Sequence, residues 1–229
     1  MTGGVARQDL VRQDLVRHDL VRVAPAAWAG MLAARPDLGP VPPLAGWAEA
    51  GRPLIVRRFG PGEDRDRVAL GLPLPPADGK RRIGLMCAAH DLTPVVPPTL
   101  RAVRSAAPPD WRPTLDALAT LGDRLGLVPR PFGGLLWQAL TGLAYLGASS
   151  DLDLLWPVAA PVPGALLDGI AGIAAHAPMR IDGEVLLPDG MGVHWRELHE
   201  APACGEVLAK HRDRLALVPA ASLRGAVAA

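Results

Sequence analysis

The chain has 229 residues, enough for one large domain or two small ones with a true core. Its 24 Lys and Arg against 23 Asp and Glu leave a net charge of +1, which argues against a basic nucleic-acid coat, and 4% aromatics argue against a ladder of base-stacking platforms. Two cysteines cannot build a disulfide framework or a Cys-rich zinc site, and 49% hydrophobic residues are too many for a disordered chain.

A pentapeptide repeats through residues 7–11, 12–16 and 17–21. A five-residue step turns a helix by about 500° and flips a strand's faces, so it fits neither amphipathic pattern. Residues 1–16 are therefore expected to be a frayed extension. Residues 1–22 contain no apolar run of signal-peptide length, and the expected location is cytoplasmic. Residues 24–48 begin with a helix carrying Trp28 and Met31, then pass through a Pro-rich loop to Trp47. Residues 53–59 and 67–74 read as a hairpin around Gly60-Pro-Gly62, with a third strand at 80–86. A proline-rich stretch, 93–112, leads to a helix over 114–125. These segments, 17–124, form the expected N-terminal α+β domain.

A second domain is expected over 125–218, with 219–229 as a tail. It begins with a strand at 127–132, the Gly133-Gly134 turn and a helix over 135–146. Residues 131–150 are uncharged and long enough to span a membrane, but Gly133, Gly134, Gly142, Gly147 and Gln138 speak against a span. A strand over 151–156, a helix over 164–176 and a strand over 179–187 follow. Residues 193–198 read as a strand and 207–215 as a last helix.

Asp151 and Asp153 stand two residues apart and so share a strand face, with Leu152 and Leu154 toward the core. Two such carboxylates repel unless a cation lies between them, and Mg²⁺ takes carboxylate oxygens together with substrate phosphates. The Gly133-Gly134 turn lets backbone amides approach an anion where a helix begins. Asp182 and Glu184 share the face of a later strand, and one of them would supply a third carboxylate. Such a set suits phosphoryl or nucleotidyl transfer assisted by metal ions. Arg57, Arg58, Lys80, Arg81 and Arg82 lie on neighbouring strands and are candidates for phosphate contacts, against the alternative of a solvated strand face. The spacing of His194, His199, Cys204 and His211 matches no zinc site, and no chemistry is assigned to them.

The order of Gly-Gly turn, helix, Asp-x-Asp strand and later acidic strand resembles the nucleotidyltransferase fold of the DNA polymerase β superfamily. Across the chain, Arg17-His-Asp-Leu20, Pro53-Leu-Ile-Val-Arg-Arg58, Gly71-Leu-Pro-Leu-Pro-Pro76 and Gly79-Lys-Arg-Arg-Ile83 occur in that order. Phe132-Gly-Gly-Leu-Leu-Trp-Gln138, Ser150-Asp-Leu-Asp-Leu-Leu-Trp156, Ile181-Asp-Gly-Glu184 and Trp195-Arg-Glu197 follow. Together these blocks resemble the phosphoribosyl-dephospho-CoA transferase family of malonate decarboxylase, its holo-acyl-carrier-protein synthases.

The resemblance implies an α+β fold: a nucleotidyltransferase-like mixed sheet with helices, preceded by a smaller α+β domain. It implies triphosphoribosyl-dephospho-CoA as donor, a serine of the acyl-carrier subunit of malonate decarboxylase as acceptor, and pyrophosphate as leaving group. Mg²⁺ would be held by Asp151, Asp153 and Glu184, with Asp182 as the alternative third ligand. Gly133, Gly134, Arg58, Lys80, Arg81 and Arg82 would contact the donor. No nucleic acid and no membrane is expected as partner. Another metal-dependent nucleotidyltransferase of the same fold, or a non-catalytic carrier-binding scaffold, are the alternatives.

Overall fold

A computed structural model describes residues 15–224. The chain forms two compact units that divide between Pro97 and Pro98. In the first unit come strand β1 (Leu20–Val23), helix α1 (Pro25–Ala33), and strands β2 (Leu54–Val56), β3 (Val68–Pro73), β4 (Arg82–Cys87) and β5 (Leu92–Val95). They make an antiparallel sheet in the order β4-β3-β2-β1-β5. Pro25 starts α1, where its missing N–H costs nothing. Trp28 and Trp47 anchor the core, and each buried indole N–H finds a carbonyl, of Leu44 and Pro53, at 3.1 Å.

The first two repeat copies lie almost wholly outside the described residues. The expected 1–16 extension is nonetheless too long. Leu15 is buried, and the Val16 N–H donates to the Asp19 carboxylate at 2.8 Å, so both belong to the folded unit. The third copy ends in Leu20 and Val21, the first two residues of β1, which sequence patterning did not separate from the repeat.

The second unit runs through helix α2 (Arg112–Leu125), strand β6 (Arg130–Phe132), helix α3 (Gly133–Thr141), strand β7 (Leu152–Pro157), helix α4 (Gly164–Ala174) and strand β8 (Ile181–Leu186). It continues with strand β9 (Gly192–His194), helix α5 (Trp195–Glu200), strands β10 (Glu206–Lys210) and β11 (Leu215–Pro219), and the short helix α6 (Ala220–Leu223). The sheet order is β11-β10-β9-β8-β7-β6. Only β7 and β8 run parallel, joined by the α4 crossover. The molecule is thus α+β with two sheets. Among the described residues no helix is long and apolar enough to cross a membrane; the uncharged stretch 131–150 breaks at Gly142, where α3 ends.

Three expectations change. The boundary lies at 97/98 and not at 124/125, because Leu115, Leu118 and Leu121 of α2 pack into the second unit's core. Residues 193–198 are a strand end followed by α5, since His194 caps a helix there. Residues 207–215 are not a helix. Val207 and Ala209 alternate into the core, and the His211 N–H bonds the Arg214 carbonyl at 2.9 Å to close a hairpin.

Period-2 geometry divides this second sheet by face. Leu152, Leu154, Trp156, Ile181, Val185, Val193, Val207 and Ala209 join the core with Leu166, Leu167 and Ile170 of α4 and Leu198 of α5. Asp153, Asp182, Glu184, His194 and Lys210 occupy the alternate positions, on the opposite face.

Candidate active site

The Asp-x-Asp pair sits where β7 begins. Asp151 immediately precedes the strand, after a turn in which the Gly147 N–H donates to the Ser150 hydroxyl at 2.9 Å. Asp153 is the second residue of β7, in register with Phe132 of β6 on one side and Asp182 of β8 on the other. Register partners in neighbouring strands share a face, so Asp153 and Asp182 lie side by side, about 5 Å apart in the pairing direction. Glu184 is registered one step further along, against Leu155.

Gly133 and Gly134 serve this corner for different reasons. Gly133 has φ +61°, the left-handed region that glycine enters without penalty. A Cβ there would stand 2.0 Å from Asp153 Oδ2, so the carboxylate occupies the space that the missing side chain leaves. Asp153 is thereby held against the first turn of α3. Gly134 instead makes room for Leu146, whose Cδ2 would be 2.9 Å from a Cβ. Gln138 fastens that segment: its carbonyl oxygen accepts the Tyr145 and Leu146 N–H groups at 3.1 Å, and its amide donates to the Ala106 carbonyl at 2.7 Å. The resemblance had both glycines meeting the donor; Gly134 has a packing reason of its own.

Asp182 is the most heavily partnered carboxylate of the set. Its Oδ1 accepts the Gly183 N–H at 2.7 Å and His194 Nε2 at 2.5 Å, and Arg180 lies 3.2 Å from Oδ2. Burial alone would raise its carboxyl, but the Gly183 amide, His194 and Arg180 outweigh burial and hold it below the ordinary carboxylate range. His194 is itself fixed at both ring nitrogens. It caps α5, with Nδ1 accepting the Glu197 N–H at 3.4 Å, which leaves the proton on Nε2, facing Asp182. Sequence reasoning gave His194 no role. The signal was present: His194 with Glu197 three residues on has the spacing of a capping box.

Glu184 is 7% exposed and bonds the half-buried Lys210 Nζ at 3.3 Å, beside the Asp153–Asp182 pair. Lys210, too, went unremarked in the sequence. Among the described residues no group of three His, Cys, Asp or Glu forms a ready metal cage. Magnesium does not require one, because it is commonly bound through one or two carboxylates and the substrate's own phosphates. Asp153, seated in the Gly133 cradle, and its register partner Asp182 fit that mode.

The expected phosphate contacts Arg58, Lys80, Arg81 and Arg82 belong to the first unit, whereas the carboxylates belong to the second. Arg58 is exposed, and the other three stand exposed at the turn between β3 and β4, with Lys80 at φ +51°. Arg57 is committed to Glu63, with guanidinium-to-carboxylate contacts of 2.8 and 2.6 Å.

No solved structure matches the chain. Family models match both units: the phosphoribosyl-dephospho-CoA transferase MdcG N-terminal domain over residues 16–98 and its C-terminal domain over residues 99–221. A curated phosphoribosyl-dephospho-CoA transferase from Bradyrhizobium diazoefficiens is 43% identical over 198 residues, 86% of each chain. One from Xanthomonas campestris pv. campestris is 41% identical over 187 residues, 81% of this chain and 87% of the relative. One from Pseudomonas putida is 33% identical over 145 residues, 62% of this chain and 67% of the relative. The family boundary at 98/99 falls one residue from the structural division, so sequence and fold agree on where one unit yields to the next, and the chain belongs to the phosphoribosyl-dephospho-CoA transferase family.

Proposed function

We propose that the protein transfers phosphoribosyl-dephospho-CoA from triphosphoribosyl-dephospho-CoA to a serine of the malonate decarboxylase acyl-carrier subunit, on a nucleotidyltransferase-like second unit. The observation that carries this reading is the seat of Asp153. Its carboxylate fills the Gly133 cradle at the start of α3 and stands in register with Asp182 across the parallel pair. Carboxylates that would otherwise repel are thus collected beside a helix N-terminus, where a phosphate chain is favoured.

In the proposed reaction the serine Oγ attacks the α-phosphorus of the ribose triphosphate. The bond from that phosphorus to the bridging oxygen of the β-phosphate breaks, and pyrophosphate leaves. The serine proton passes to a carboxylate of this face. Mg²⁺, held by Asp151, Asp153 and Asp182, would neutralise charge on the phosphates. Asp182 replaces Glu184 as the preferred third ligand, because Asp182 is the register partner of Asp153 whereas Glu184 is registered against Leu155. His194 is a positioning residue: its Nε2–H fixes Oδ1 of Asp182, while Arg180 stands 3.2 Å from Oδ2. The α3 amides align the phosphates.

The test is the intact mass of the apo carrier subunit after incubation with the protein, Mg²⁺ and triphosphoribosyl-dephospho-CoA, with ATP as parallel donor. A gain equal to the phosphoribosyl-dephospho-CoA group, lost on adding EDTA, is expected. A gain with ATP alone would point to a different nucleotidyl donor, and no gain from folded protein would sink the reading.

A further inference from the structure

The first unit contains a cleft of about 560 Å³, within the size range of small-molecule sites. It lies where α1 passes β4, and both elements line it. Ala27, Gly30 and Met31 form the helical side, and Met86 lies across on β4. The space exists because α1 is short-chained on this side: a Cβ added at Gly30 would meet nothing within 4 Å. Methionine thioethers give an apolar, polarisable wall suited to a flat aromatic ring.

Charges of both signs line the same cleft: Arg35, Arg57 and Arg67 with Glu63 and Asp91, of which Arg57 and Glu63 pair with each other. Arg67 is exposed, and its guanidinium makes no hydrogen bond or ion pair among the described residues. It is nonetheless close enough to Cys87, another wall residue, for its charge to act on that thiol. Arg35 spends Nε and Nη2 on Asp37, both at 2.8 Å, and its Nη1 is 3.5 Å from the Gly84 carbonyl, too long for a strong bond. Two guanidiniums therefore have donors to spare at the rim of an apolar slot. Burial pushes the Cys87 thiol up to about 11, so it is wall and not nucleophile.

We propose that this cleft binds a purine nucleotide carrying a diphosphate, which for this protein is the dephospho-CoA end of the donor. The ring lies in the methionine-lined slot, and the diphosphate oxygens take the free N–H groups of Arg67 and Arg35. The identification of the ligand as the donor rests on the transferase reading; the choice of a ring with phosphates rests on the cleft. Of the five basic residues singled out from the sequence, Arg57 lines it but is committed to Glu63, and Arg58, Lys80, Arg81 and Arg82 do not line it.

The experiment is calorimetric titration of the full chain with dephospho-CoA, and separately with ADP, without acceptor or triphosphate. Gly30→Leu fills the slot from a helical position where leucine is the better helix former, and Arg67→Ala removes one phosphate donor. Each is expected to weaken dephospho-CoA binding by about tenfold or more while melting no lower than wild type. ADP is expected to show the same pattern at lower affinity. Wild-type binding that neither substitution disturbs would overturn the cleft assignment, as would absence of binding to wild type. Carrier modification measured in parallel separates the two ideas. Transfer with undisturbed binding in both variants rejects the cleft alone. Binding that the variants abolish, with no transfer by wild type, retains the cleft and rejects the transferase reading.

Discussion

At the scale of single residues, substitutions at four positions test the proposed chemistry. Asp151→Asn and Asp153→Asn keep side-chain volume and remove a charged oxygen ligand, so transfer should fall by more than ~10²-fold with an unchanged melting temperature. Mass spectrometry of the carrier and a thermal melt together check this. Gly133→Ala should do worse than a surface glycine change, because its Cβ and the Asp153 Oδ2 claim the same space. Both the left-handed strain and displacement of the carboxylate follow, and we expect a loss of ~1 kcal/mol or more in denaturant unfolding together with near-complete loss of transfer. At His194 the comparison is between two replacements. His194→Gln can offer an N–H near the Nε2 position, whereas His194→Ala leaves Asp182 without that donor. The glutamine variant should retain more transfer than the alanine variant at equal Tm, and equal losses would mean that the contact to Asp182 does not matter.

The carboxylates themselves were legible, since their residue types and two-residue spacing are local. Their pairing was not. Asp153 meets Asp182 through the register of a parallel pair separated by a crossover helix, and nothing within either strand states that register. Glu184 was preferred because spacing alone cannot show that Lys210, on a strand two places across the sheet, claims it.

At the scale of elements, the β7–β8 pair is the critical joint, and Gly183 controls it. It has φ +133°, and a Cβ there would stand 2.0 Å from the Leu154 carbonyl oxygen, its own register partner. Backbone cannot retreat as a flexible side chain can. Gly183→Ala should therefore cost about 2–4 kcal/mol and spread the two strands that carry Asp153 and Asp182. Unfolding midpoints would read the first effect, and activity of any surviving folded fraction the second. Element types were legible where the pattern was long: the leucines of α2 and the apolar alternation of β7 and β8 declare themselves. They failed in short segments. Residues 206–210 are too few to separate a strand from one and a half helical turns, and the 211–214 turn has none of the Asn-Gly or Asp-Gly signals that mark a two-residue hairpin.

At the scale of the molecule, the chain has a seam at Pro97-Pro98. The apolar cluster beneath the second sheet draws on residues from Leu100 to Leu223 alone. A fragment of residues 98–224 is expected to unfold as one cooperative transition, with coincident near- and far-ultraviolet dichroism; a melt without near-ultraviolet signal would show that its core needs the first unit. The proline pair was visible in the sequence, but α2 beyond it was assigned to the wrong unit. An amphipathic stripe announces that a helix is buried, and not which sheet it covers.

The alternation of faces in the second sheet has a consequence for how this family can change over time. Stability and chemistry are written on interleaved positions of the same strands. In a saturation library sorted once for cellular abundance and once for carrier modification, Leu152, Leu154, Trp156, Ile181 and Val185 should deplete in the first sort. Asp153 and Asp182, their direct chain neighbours, should deplete only in the second. Selection acting on the reacting face can then explore new acceptors or donors one residue away from a core that it leaves untouched.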